Sequence, residues 1–369
     1  MHNLDTQPKF IKILIFNNLS IRELLKISQL NKKYNQFIKN NQWRQLTVFE
    51  EFFNKMNWKL DYNRGDMTYY HNFHIIENNN NYLMAKMVPS KKEHTVNVDI
   101  NVDIDNLIVK LLNEQLDKPF VIKYHLTFMT SITNFITLDN HHEYYVKFVE
   151  RYKQNKYDDQ LAINICDLYE YGNLLDYIQN NHQSMNLEIW TTIFFQILYA
   201  LAIIQLKYPS FRHNDLKANH IYLKKVSNNN NDYQQYYLDK QIFTAKSIGF
   251  EICIHDFHFS SISGVIENSL LNENWINKFN ITSKQNQYYD MHYFFSTLTS
   301  RAFIDNFYEG VAPTEIVDFV HRIIPDKYRS NRNYPNTNVN RRGRILVNDE
   351  YTTPYQVLMN DELFTGYKK

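Results

Sequence analysis

Residues 211 to 223 read Phe-Arg-His-Asn-Asp-Leu-Lys-Ala-Asn-His-Ile-Tyr-Leu, and this stretch decides how the rest of the chain is read. A carboxylate, Asp215, stands two places before a cation, Lys217; His213 precedes the pair, Asn219 and His220 follow it, and Ile221-Tyr222-Leu223 then reads as an apolar strand. Downstream, the apolar run Ile252-Cys253-Ile254 leads into His255-Asp256-Phe257-His258. Upstream, Leu168-Tyr169-Glu170-Tyr171-Gly172 opens onto the segment Asn173 to Ile178. Two further segments complete the order, one from Tyr289-Asp290-Met291 to Phe295 and one from Thr353-Pro354 to Phe364.

Taken in this order, the landmarks resemble those of protein kinases over about residues 140 to 364: catalytic loop, Asp-Phe-Gly segment, hinge, large C-lobe helix and closing helix. The resemblance implies an α+β, bilobal protein-kinase-like fold over residues 51–369, with an N-lobe at about 60–168 and a C-lobe at about 174–366. It makes Asp215 the base and Lys217 the residue that steadies the moving phosphoryl, and makes Asp256 a metal-holding carboxylate. It points to ATP with Mg²⁺ or Mn²⁺ as cofactors and places Glu170 and Gly172 at a nucleotide-binding hinge. The strand lysine falls on Lys86, in Tyr82-Leu83-Met84-Ala85-Lys86-Met87-Val88, and the acid of the partner helix falls near Asp105.

The departures from the pattern are specific. The place of the magnesium-binding Asn, five after the base, is taken by His220, and His258 replaces the Gly of Asp-Phe-Gly. Imidazole is a poor ligand for magnesium but a good one for softer cations, so His220 with Asp256 suits such an ion; alternatively, His220 and His258 merely fill space. Residues 60 to 85 contain one glycine, Gly65, so a phosphate lid that needs Cβ-free positions is missing. Asn214 stands where many kinases have an Arg that pairs with a phosphorylated loop residue, so phosphorylation at Ser260, Ser261 or Ser263 is expected to matter little.

The amino terminus, residues 1–50, carries a second pattern. Ile11, Leu14, Ile15 and Leu19 share a helical face, Ser20 with Glu23 forms a capping box, and Leu24, Ile27, Leu30, Tyr34 and Phe37 make another apolar stripe. From Pro8 to Leu46 this resembles an F-box, which implies that Pro8, Ile11, Leu14, Leu19, Leu24 and Leu30 dock on a Skp-type adaptor of a cullin–RING ubiquitin ligase. The plainer reading is a helical hairpin capping the N-lobe. An F-box followed by a degenerate kinase-like domain resembles a family encoded by large DNA viruses, and Pro313 to Phe319 and Gly343-Arg344-Ile345-Leu346 look like that group's C-lobe. The function so implied is an adaptor that brings a protein target to the ligase in the host cytoplasm or nucleus; the alternative is an active Ser/Thr protein kinase.

Composition fits an intracellular protein of two domains: 369 residues, 44% hydrophobic, with a net charge of +1 that argues against nucleic acid as a partner. Cys166 and Cys253 are isolated, which excludes a disulfide framework. Ile189 to Leu206 carries no charge and is near the lower length for a membrane span, but its position directly before the catalytic loop points to a buried C-lobe helix. Val96 to Ile104 alternates apolar and polar residues, which predicts a strand with Asp99 and Asp103 on its outer face; the spacing is not that of a calcium loop.

Overall fold

Apolar residues along Tyr82–Lys91 and Tyr157–Asp167 form two neighbouring inner strands of an antiparallel sheet, β3 and β5, paired so that Lys86 faces Asn164. The computed structural model describes residues 56–58, 71–76, 82–91, 98–118, 120–133, 143–167, 169–226, 232–300, 303–329 and 338–369. The F-box segment 8–46, Gly65 and the two Asn runs lie outside the described residues.

The chain divides into two units, one up to Val98 plus Lys123–Leu168, the other Asp99–Ile122 plus Tyr169–Lys369. In the first, β1 (Met56–Trp58), β2 (His71–Ile76), β3, β4 (Tyr124–Thr130) and β5 form a sheet of order β1-β2-β3-β5-β4. Leu161, Ala162, Ile163 and Cys166 of β5 are buried, and a helix at Glu143–Lys153 stacks Phe148 on Tyr157 at 5.6 Å. Lys86 is itself buried on β3.

Where the expected strand at residues 96–104 falls on described residues, from Val98 on, it is instead the start of a helix, α1, spanning Val98–Gln115. Alternation over so few residues also fits a helix, and here the 3.6-residue period wins. Ile104, Ile108 and Leu112, four apart, make one buried stripe with Asp105 and Val109 beside it.

The second unit is organised around Leu187–Lys207, a helix whose start is capped by the Asn186 side chain accepting the Ile189 N–H at 3.0 Å. Trp190, Ile193, Phe194, Ile197, Leu198 and Leu201 are completely or almost completely buried. The helix is long and apolar enough to cross a membrane, yet 78% of its apolar window is buried inside the fold. Packed against it are the helices Tyr289–Leu298 and Thr314–Ile323 and the closing helix Pro354–Asn360, which opens with a Thr353–Gln356 capping box.

Between the strand Ile221–Lys225 and its partner Phe250–Ile254, the chain makes a hairpin, Tyr233–Leu238 with Gln241–Lys246. The extra length between Asp215 and Asp256 is thus folded outward as a hairpin that seats Tyr236 against Phe195 and Tyr199, leaving the central pair in register. Neither Cys166 nor Cys253 forms a disulfide, and both are buried in strands.

One buried titratable group sets an acid limit. His292, fully buried on the helix Tyr289–Leu298, meets the Gly343 carbonyl at 3.1 Å and the Tyr288 hydroxyl at 3.3 Å. Burial pushes its pKa down to about 3, the bond to Gly343 opposing only in part. The neutral form belongs to the fold, so the stabilising contribution is complete above the unfolded value of about 6.5 and is lost as pH falls from there towards 3. From pH 7 to pH 5 this group should remove about 2 kcal/mol of stability. Urea unfolding at both pH values should show that loss shrinking by a similar amount in His292→Gln. An unchanged pH slope in the variant would remove His292 as its cause.

Candidate active site

Two residues of the site sit in left-handed backbone that side chains rarely adopt: Asn214 with φ of 65° and Asp256 with φ of 68°. The first is held by Asp290, a fully buried carboxylate that accepts the N–H of His213 at 2.7 Å and of Asn214 at 2.8 Å. Burial pushes the Asp290 pKa up, opposed by His213 and Arg212. Asp256 follows the strand Phe250–Ile254, and the residue after it is fixed from α1: the Phe257 N–H donates to Asp105 Oδ1 at 2.8 Å. His258, by contrast, has no positive φ, so a residue with a side chain fits where the resemblance called for Gly.

The segment after Asp256 is ordered by uncharged bonds. The Asn214 side-chain amide donates to the carbonyls of Phe259 at 2.8 Å and Thr282 at 3.1 Å. Ser260 and Ser261 are fully buried, with Ser260 Oγ donating to the His213 carbonyl and Ser261 in a strand pair with Arg212; Ser263 is exposed. Arg212, also fully buried, lies 3.7 Å over the Tyr289 ring and donates to the carbonyls of Asn280 and Lys284.

Asp215, Lys217, His220 and Asp256 come together. Lys217 Nζ lies 3.0 Å from Asp215 Oδ2, and the guanidinium of Arg344 pairs with Oδ1. Burial alone would raise the Asp215 pKa, but Lys217, Arg344 and His220 outweigh it and hold the carboxyl down at about 2, fully ionised at neutral pH.

His220 lies 2.9 Å from the Asp215 carbonyl through Nδ1, and because a carbonyl only accepts, Nδ1 carries the proton. Burial first, then Lys217, lowers the imidazole pKa to about 4, so at neutral pH the ring is uncharged and Nε2 offers a lone pair. That nitrogen stands 3.3 Å from Asp256 Oδ2. Two electron-pair donors at this separation fit adjacent ligands of one cation. A nitrogen–oxygen pair suits manganese or a softer ion better than magnesium.

The remaining candidates fall elsewhere. Gly172, with φ of 70°, closes a turn by donating to the Tyr169 carbonyl and accepts the Leu223 N–H, while Glu170 accepts the Lys225 N–H at 3.1 Å. Neither belongs to the carboxylate cluster. Lys86 lies in the other unit, buried on β3. His213 accepts the Asp215 N–H on Nδ1 and so donates from Nε2 to the His255 carbonyl at 3.0 Å, a backbone-holding role. A cleft of about 470 Å³ at the start of the buried helix, lined by Asn186, Leu187 and Tyr367 among others, shares no residue with the cluster. Arg344 and Asp290 were not identified as site residues from sequence, and Asp105 was named only as the acid of the helix that partners the strand lysine; a lone Arg after Gly343 gives no signal of its destination.

This arrangement provides a buried ionised carboxylate beside a lysine and, next to it, a nitrogen–oxygen ligand pair on a strand end. The chain resembles viral proteins named as kinases. Two curated proteins of Acanthamoeba polyphaga mimivirus, each named "Putative serine/threonine-protein kinase", are similar to it. The first is 45% identical over 253 residues, covering 66% of this chain and 53% of that protein. The second is 38% identical over 80 residues, 21% of this chain and 20% of the relative. The chain thus spans about half the length of the first relative and a fifth of the second. No family profile matches the chain.

Proposed function

We propose that the kinase-like domain transfers the γ-phosphoryl group of ATP to a Ser or Thr hydroxyl, using a cation that tolerates a nitrogen ligand. The observation that carries this reading is the pairing of Asp215 with Lys217 at 3.0 Å beside the His220–Asp256 donor pair at 3.3 Å. Asp215 accepts the proton of the attacking hydroxyl and holds that hydroxyl in line. Lys217 balances charge on the phosphoryl as it moves. His220 and Asp256 are the residues that would hold the metal, which when bound neutralises phosphate charge. The names of the viral relatives support the Ser/Thr class.

The metal preference is testable. Wild type should transfer phosphoryl from radiolabelled ATP to a Ser/Thr peptide mixture faster with Mn²⁺ than with Mg²⁺, and His220→Asn should shift the preference by about tenfold towards Mg²⁺, because Asn offers a carbonyl oxygen. A magnesium-preferring wild type that His220→Asn weakens would contradict the ligand assignment.

A second reading, an adaptor for a cullin–RING ligase, is favoured by the F-box-like stripes in residues 8–46. It is compatible with the first, since a docking module would bring the domain's protein target to the ligase. Co-purification with a Skp-type protein, lost on Leu24→Asp with the domain still folded, is its expected result; equal recovery by wild type and variant would end it.

A further inference from the structure

Resting on the phosphoryl-transfer reading, we infer that Arg344 is a positioning residue for the base: a cation delivered from the far end of the chain, beyond the catalytic loop, orients the Asp215 carboxylate.

The turn that carries Arg344 is built for one orientation. Val339 bridges Ile345, the Asn340 N–H donates to the Arg344 carbonyl at 2.9 Å, and Asn340 Oδ1 accepts the N–H groups of Arg342 and Arg344. Gly343 has φ of 81°, and a Cβ there would lie 2.9 Å from Ser296 Cβ, so the turn is pressed against the helix Tyr289–Leu298 with room for no side chain. His292 of the same helix meets the Gly343 carbonyl from below.

From this turn the Arg344 side chain, 6% exposed, lies 4.0 Å over the Tyr293 ring. One terminal nitrogen donates to the Asn214 carbonyl and, at 3.1 Å, to the Tyr289 hydroxyl; the other takes Asp215 Oδ1. Lys217 holds Oδ2. Each carboxylate oxygen is therefore tied to a separate cation, and rotation of the carboxylate plane would break one pair. A carboxylate has about four lone-pair sites, so both cations can be satisfied with about two sites left, one of which can take a hydroxyl proton. The same guanidinium also holds the carbonyl of strained Asn214, coupling backbone and side chain of the base. Planar, forked geometry makes this possible, and an ammonium cannot reproduce it.

The test uses the full chain. Arg344→Ala should lower kcat for phosphoryl transfer by about 10²-fold, the loss that a misplaced reacting group causes, with the KM for Mn²⁺-ATP unchanged. Millimolar guanidinium ion should restore part of kcat in Arg344→Ala and none in wild type, a rescue that a generally loosened fold would not give. Equal or higher kcat in Arg344→Ala than in an active wild type overturns the assignment, as does a loss that guanidinium leaves untouched. If Arg344→Ala does not fold, Arg344→Lys decides: lowered kcat at unchanged KM supports the inference, and wild-type kcat overturns it. An inert wild type would instead sink the phosphoryl-transfer reading, and this inference with it.

Discussion

On the proposed phosphoryl-transfer reading, Asp215→Asn should lower transfer by about 10²–10⁴-fold, the range for removing a positioned general base. Asn keeps the size of the side chain but cannot take the hydroxyl proton, and it removes the negative charge that Lys217 at 3.0 Å and Arg344 both face. Two cations in a buried setting then lose their counter-charge, so stability falls as well, by about 3–5 kcal/mol when a buried pair is broken. The two effects are separable. Transfer should be measured well below the thermal midpoint of the variant, together with nucleotide-induced stabilisation, which depends on residues other than the base. Transfer within a few-fold of wild type in a folded Asp215→Asn protein would remove Asp215 as the base.

Phe194→Ala should destabilise the second unit by about 3–5 kcal/mol, the usual range for emptying a buried aromatic site. The Phe194 ring is completely buried and stands 4.9 Å from Phe295, 5.8 Å from Trp190 and from Phe319, and 6.3 Å from Phe294. Edge-to-face contacts dominate this cluster, and they are lost along with the buried area. The expected result is a clear fall in the urea midpoint at unchanged slope. The outcome also discriminates between the two readings of a helix whose stretch Ile189 to Leu206 carries no charge. A change below about 1 kcal/mol is what a residue with no packed neighbours would give, and it would reopen the membrane-span reading of Leu187–Lys207.

Smaller effects follow from the same geometry. Ser260 and Ser261 are buried, Ser263 is exposed, and Asn214 holds this segment by uncharged bonds, so a phosphomimetic change at Ser263 is expected to alter activity little.

The short-range features of this protein were determined by sequence alone. Asp215, Lys217 and His220 were legible because a turn between two strands fixes their spacing, and Asp256 because it follows an apolar strand; spacing along a chain is what a sequence displays. The buried helix before them was legible because apolar residues on every face leave no surface for water, and the closing helix because Thr353 and Pro354 suit its first turn. The tertiary structure decided whatever depended on distant residues or on competing local periods. Residues 98–104 satisfy both a two-residue and a 3.6-residue alternation, and only the buried stripe of Ile104, Ile108 and Leu112 chose the helix. The lone pair of His220 was aimed by a bond to the Asp215 carbonyl, which no motif encodes. Arg344 reaches Asp215 across 129 residues of chain. Such a pairing leaves no mark in local composition, because it is set by how a glycine turn packs on a helix after both have formed.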